Sequence, residues 1–291
     1  MTADRRTPGG GRDPLDPPPP PVALSIAGSD PSGGAGIQAD LKTFSALGAY
    51  GTTVITALTA QNTHGVTGVH VVPPEFVAAQ LTTLVEDVRV DAIKIGMLAT
   101  AELAGVVAEF LAARATSTHP PYVVLDPVMV ATSGDRLLDE GAVAAVRELL
   151  PLADLVTPNV AEAAVLLGGS PARDLDELSA QAHALVAAGA RRVLAKGGHG
   201  MPDATDVLAD ATAEAGATVT FVGRRIDTQN THGTGCSLSS ALAALRPQRD
   251  SWPHTIRDAK DWLTGALAAA DTLEIGSGQG PVHHFHDVWN L

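Results

Sequence analysis

From Val22 onward the chain alternates short apolar segments with longer amphipathic ones, and this alternation restricts the fold more than any other feature. Residues 22–26, 53–58, 92–95, 122–125, 155–156, 192–195 and 218–222 are short, apolar and rich in β-branched side chains. Strands buried on both faces read this way. Helical patterns separate them. Val77, Leu81, Leu84 and Val88 make one apolar stripe. Asp174 with Glu177 three residues later reads as a helix start, Leu178, Ala182, Leu185 and Val186 share a face, and Gly189 offers a stop. A last helix is expected over 256–273, with Trp262 and Leu263 in the core. Strand–helix alternation predicts an α/β fold, a mostly parallel sheet covered by helices on both faces.

Composition excludes more than it selects. The 291 residues are 45% hydrophobic, enough for a sizeable core. A net charge of −13 and 3% aromatic content offer neither a basic patch nor a stacking platform, so nucleic acid is not an expected partner. One cysteine rules out an internal disulfide and a multi-cysteine zinc site. No segment is long and apolar enough to span a bilayer, and none reads as a signal peptide, so a cytoplasmic location is expected. Residues 1–21 are polar, then glycine- and proline-rich, and read as a disordered or polyproline arm before a single domain over 22–291.

The cysteine sits in a telling place. Thr231-His232-Gly233-Thr234-Gly235-Cys236 leads directly into an apolar helix. Glycines let a backbone approach a ligand, and a helix start offers free amides and a positive field, so an anion fits there. The same field favours a thiolate, giving Cys236 the makings of a base. The other reading is a cap with a small buried cysteine. Ligands of such sheets gather beyond the carboxyl ends of the strands. Asp30, Asp126, Asn159, Glu162 and Lys196 all fall there, each also explicable as a cap or surface residue. Carboxylate and amide oxygens suit Mg²⁺ shared with phosphates. Gln61, after the 53–58 segment, has an amide suited to a heterocycle edge or to its own turn, and Met97 is an adaptable wall or plain core. The loop from Gly28 to Gly36 matches neither a Rossmann fingerprint nor a P-loop. His283, His284 and His286 lack the companions of a metal site.

Taken in order, these segments closely resemble the hydroxymethylpyrimidine/phosphomethylpyrimidine kinases, within the ribokinase-like superfamily. The matching runs are Gly28-Ser29-Asp30-Pro31-Ser32-Gly33-Gly34-Ala35-Gly36, Ala60-Gln61-Asn62-Thr63, Lys94-Ile95-Gly96-Met97-Leu98, Leu125-Asp126-Pro127-Val128, Thr157-Pro158-Asn159, Lys196-Gly197-Gly198-His199, the Cys236 turn, and Gly280 to His286. The resemblance spans about residues 22 to 289, leaves the proline-rich arm outside it, and gives no expectation of a second enzyme fused after the histidine-containing tail.

It implies an ATP-dependent kinase of thiamine biosynthesis. Such an enzyme phosphorylates the hydroxymethyl group of 4-amino-5-hydroxymethyl-2-methylpyrimidine, then adds a second phosphate to make the diphosphate. By the same resemblance Gln61 binds the aminopyrimidine, with Gly28, Asp30, Met97 and Val128 lining its pocket. Asp126 and Glu162 organise Mg²⁺, Asn159, Lys196 and Thr231 hold ATP, and Gly233, Thr234, Gly235 and Cys236 form the catalytic anion hole. K⁺ is a candidate activator and a homodimer the implied assembly. Many ribokinase-like enzymes carry aspartate where Cys236 stands; the cysteine fits the pyrimidine-kinase branch and some pyridoxal kinases. A pyridoxal kinase is therefore the alternative substrate reading, and a non-catalytic pyrimidine- or nucleotide-binding protein the alternative outside enzymes.

Overall fold

The computed structural model describes residues 18–129, 140–198, 203–214 and 216–289. Most of the proline-rich arm and His199 lie outside that set. Eight strands form the main sheet: β1 (Val22–Ala27), β2 (Tyr50–Ile55), β5 (Ala92–Ile95), β6 (Tyr122–Leu125), β7 (Leu155–Val156), β8 (Arg192–Lys196), β9 (Asp206–Asp210) and β10 (Thr218–Phe221). Their order is β10-β9-β8-β7-β6-β5-β1-β2. β1, β2 and β5 to β8 run parallel, whereas β9 runs antiparallel to β8 and β10 turns back antiparallel to β9 as a hairpin edge. A separate antiparallel pair, β3 (Ala57–Asn62) and β4 (Gly65–Val71), stands beside the sheet.

Sequence periodicity places most elements but not these pairs. The apolar run 53–58 is two strands, because Thr56 is fully buried and its hydroxyl donates to Met97 O at 2.7 Å, which breaks the run. β4 and β9 carry no long apolar stretch and are strands through their partners. Gln61 accordingly lies within β3, at a place where the sequence suggests a turn.

Packing follows the pleat. Val123 and Leu125 of β6 belong to one apolar layer and Val124 to the other. The first layer lies under α2 (Pro74–Asp87), α3 (Ala101–Ala115), α4 (Glu140–Leu149), α5 (Val160–Leu167) and α6 (Leu175–Ala187), the second under α1 (Gly36–Ala46), α7 (Thr234–Leu245) and α8 (Trp252–Ala268). Val77 and Leu81 are buried as the stripe predicts. Asp174 caps α6 by accepting from Glu177 N. The final helix begins and ends earlier than expected, because the Ser251 side chain caps it and a 3₁₀ turn takes over at Ala270. Trp262 and Leu263 are in the core.

From β1 the chain turns first to β2 on one side, and β5 then lies on the other. This reversal opens a crevice at the carboxyl ends of β1 and β5, where α/β sheets bind ligands.

Candidate active site

A cavity of about 1030 Å³ occupies that crevice, and every site residue expected from the sequence lines it: Gly28, Asp30, Gln61, Met97, Asp126, Val128, Asn159, Glu162, Lys196, Thr231, Gly233, Thr234, Gly235 and Cys236. One end is framed by β1 and the β3–β4 pair. A Cβ on Gly28 would fall 2.4 Å from the end of the Met97 side chain, so the glycine gives this wall its width. Gln61 faces inward from β3, with its amide nitrogen 3.3 Å from His232 Nε2 and its oxygen accepting from Thr59 Oγ1.

The carboxylate of Asp30 is committed to its own loop. Oδ1 accepts from the amide and hydroxyl of Ser32, and Oδ2 accepts from the amides of Gly34 and Ala35 and lies 2.8 Å from His232 Nε2. Burial opposes its ionisation, but these bonds prevail and hold the carboxyl below its ordinary value. Asp30 thus shapes the pocket through the glycine loop, and a direct substrate contact from its carboxylate is not what the geometry favours.

At the centre α7 begins. Gly233 precedes it in the left-handed region (φ 76°), and a Cβ there would sit 1.8 Å from Gly34 O. No side chain caps this helix, and Gly235 and Cys236 line the cavity. First-turn amides have no intrahelical partner, so an anion is their natural acceptor. A Cβ on Gly235 would lie 3.5 Å from Lys196 Nζ and 3.7 Å from Asp126 Oδ2, so the turn, Lys196 and Asp126 converge.

Asp126, beyond β6, is buried; its Oδ1 accepts from Lys196 Nζ at 2.9 Å and Thr157 Oγ1 at 3.3 Å, its Oδ2 from Ser239 Oγ at 3.3 Å. Burial pulls the Lys196 ammonium down, yet Asp126 and Glu162 outweigh it and keep it charged. Asn159 and Glu162 close a reciprocal cap on α5: Asn159 Oδ1 accepts from Glu162 N, and Glu162 Oε2 from Asn159 N. Burial pushes the Glu162 carboxyl up to about 7, Lys196 opposing and Asp126 reinforcing that rise. Two buried carboxylates stand against one ammonium at this end, a donor set that would suit a hydrated divalent cation. Among the described residues no three His, Cys, Asp or Glu side chains gather as a metal cage. Of the tail histidines, His284 is buried 2.9 Å from Ser237 Oγ and lowered to about 3 by burial.

The half-buried Cys236 feels opposing influences. Loss of water around its sulfur pushes the thiol up to about 11, Asp40 and Asp126 act in the same direction, and Lys94 and the Gly36 amide favour the thiolate.

The far end of the cavity was not legible in the sequence. It is lined by the loop from Gly223 to Thr228 and one face of α8, with Lys260, Leu263, Thr264 and Leu267. Lys260 Nζ bonds Asp206 Oδ2 and donates to Ala204 O at 3.1 Å, and Asp206 Oδ1 accepts from Gly197 N. His232 and Lys94 likewise carry no sequence signal of their own as side chains, although both stand inside motifs that bear the resemblance.

The family model for phosphomethylpyrimidine kinase matches residues 30–283. The chain is 56% identical over 270 residues to the hydroxymethylpyrimidine/phosphomethylpyrimidine kinase of Salmonella typhimurium, covering 92% of this chain and 98% of that one. Among solved structures it is similar to a Bacillus subtilis pyridoxal kinase in complex with ADP (TM-score 0.82, 34% identity, 93% of this chain and 99% of that one). It is likewise similar to the Clostridium difficile phosphomethylpyrimidine kinase (TM-score 0.73, 36% identity, 85% and 99%). This ribokinase-like chain belongs to the phosphomethylpyrimidine kinase family.

Proposed function

We propose that this protein phosphorylates 4-amino-5-hydroxymethyl-2-methylpyrimidine with ATP and then phosphorylates the product to the diphosphate, for thiamine synthesis. The single observation that carries the reading is the convergence of Gln61, Lys196, Asp126 and the uncapped Gly233–Cys236 turn on one cavity, in a chain 56% identical to a kinase of that name.

The pyrimidine lies between Met97, Val128 and Gly28, with Gln61 on its amino edge. ATP enters from the α8 end, its base against Leu263 and Leu267 and its phosphates toward Lys196, Asn159 and Thr231. Phosphoryl transfer needs mainly positioning and charge stabilisation. Gly233 and Gly235 hold the transferring group by backbone amides, and Thr234, whose own amide donates to Thr231 O, keeps the turn in shape for them. In the first step the substrate O–H bond breaks, its proton passes to Cys236 Sγ as thiolate, the oxygen pair attacks phosphorus, and ADP leaves. The second substrate is a phosphomonoester, already anionic, and needs no base. Mg²⁺ suits Asp126 and Glu162, where it would neutralise phosphate charge when bound. K⁺ remains a candidate activator without an assigned residue.

Residues 22–291 act as one cytoplasmic kinase domain behind the proline-rich arm; no helix among the described residues is long and apolar enough to cross a membrane. A homodimer is supported by exposed apolar residues on and beside the β3–β4 pair, Leu58, Val69 and Phe76. Sedimentation should give twice the monomer mass.

The test of function is ADP release with Mg-ATP and the hydroxymethylpyrimidine, products resolved by mass, with pyridoxal in parallel. Monophosphate followed by diphosphate supports the reading. Turnover of pyridoxal with a silent pyrimidine would replace the substrate, and ligand binding without ADP would remove the enzyme.

A further inference from the structure

Lys94 is a charged side chain on β5, every residue of which is buried, and it is itself fully inaccessible. Its Nζ lies 2.9 and 3.0 Å from the two oxygens of Asp40 on α1. Asp40 also accepts from Ser25 Oγ on β1 at 2.5 Å and from Ser240 Oγ on α7 at 2.7 Å. Four elements thus meet at one ion pair. A buried pair of this kind is weak support for stability, since apolar replacements of like volume often fold as well or better. Its position suggests another use. Ser240 is one helical turn beyond Cys236, so the two share a face of α7. Lys94 and Cys236 line the same cavity. Space above the ammonium is kept open by Gly96, where a Cβ would fall 2.8 Å from Lys94 Nζ.

We propose that Lys94 is a positioning residue, held by Asp40 and, through it, by Ser240 one turn from Cys236, so that its ammonium stabilises the thiolate, with Asp40 as the brake on that effect. Other groups bear on the sulfur. Asp126, beyond β6, opposes the thiolate, the Gly36 amide at the start of α1 donates to the sulfur, and Lys196, at the end of β8, lies within electrostatic reach. Lys94 is the one cation among them that is not also paired with Asp126. The proposal rests on the reading of Cys236 as the base of the first step, but it concerns the thiol itself and can be read without turnover.

Cys236 is the only cysteine, so alkylation by iodoacetamide reports on it alone. Rates measured from pH 7.5 to 9, below the thiol midpoint, rise about tenfold per pH unit, and each unit of displacement appears as about a tenfold offset between variants. Lys94→Met should slow alkylation at fixed pH by about tenfold or more. Asp40→Asn, which leaves the ammonium with no carboxylate partner, should accelerate it. A merely structural pair predicts offsets of the same sign in both, as loosening alters access. Lys94→Met/Asp40→Asn, with the pair neutralised, guards against a single variant that fails to fold; it should still alkylate more slowly than wild type. Equal rates in urea show that intrinsic reactivity is unchanged. No slowing in the double variant, or slowing in Asp40→Asn, overturns the proposal. Alkylation needs no turnover, so a different substrate would leave the role of Lys94 standing.

Discussion

Glu162→Gln separates the functional and structural duties of one carboxyl. The glutamine oxygen can still accept from Asn159 N, so the cap on α5 survives, while the charge is gone. The wild-type carboxyl is pushed from an ordinary value of 4.5 up to about 7 by burial and Asp126, against the pull of Lys196. The fold therefore binds this proton more tightly than the unfolded chain does. Its contribution is favourable below about pH 4.5 and is lost as pH rises through about 7. The gap corresponds to roughly 3 kcal/mol at about 1.4 kcal/mol per tenfold in proton affinity. At pH 8 without metal, Glu162→Gln should be more stable than wild type by up to roughly 3 kcal/mol, or about 6 °C in Tm for a chain of this length. At pH 5 the difference should nearly vanish. Adding Mg-ATP should reverse the order, because the cation removes the wild-type penalty and the variant lacks a ligand. Thermal melts at pH 5, 6, 7 and 8, with and without Mg-ATP, test the whole pattern. A Tm difference that does not change with pH, or a less stable variant at pH 8 without metal, would refute the reasoning.

Other substitutions test the remaining parts of the site. Cys236→Ala should cut the first phosphorylation by about a hundredfold or more and the second far less, since only an alcohol needs a base; equal losses measured by product mass would assign Cys236 to the anion hole. In wild type the first step should climb with pH from 7 to 9, because burial pushes the thiol up to about 11, and the climb should be absent in Cys236→Ala. Gly233→Ala adds a Cβ 1.8 Å from Gly34 O at a positive φ, so it should cost roughly 2–4 kcal/mol in denaturant melts and abolish activity. Lys260→Met breaks the tie from α8 through Asp206 to Gly197 and should raise the KM for ATP severalfold while leaving that for the pyrimidine within about twofold.

The parts of the site visible in the sequence are those whose chemistry depends on local chain geometry. Gly233 is required by a left-handed turn, Asn159 and Glu162 cap a helix three residues apart, Asp126 follows one apolar strand and Lys196 ends another. Spacing within a few residues encodes each of these. Asp30 shows the limit of that logic. Its place at the end of β1 was evident, but five hydrogen bonds within reach of one carboxylate depend on how the glycine loop folds back onto His232.

Strand–helix periodicity determined the α/β class and the end of the sheet that binds ligand, the cysteine turn offered an anion site there, and the ordered motifs gave the reaction class through their resemblance to a kinase family. Tertiary structure alone decided that β9 and β10 run antiparallel, that Gln61 reaches the cavity from a separate hairpin, and that α8 closes its far end. It also decided which charged groups surround Cys236. Helix starts and strand ends are set by neighbours in sequence, whereas the thiol is governed by burial and by Lys94, Asp40 and Asp126, which lie more than a hundred residues away along the chain. Electrostatic energies depend on distance in space and on exclusion of water, and neither can be read from the order of residues.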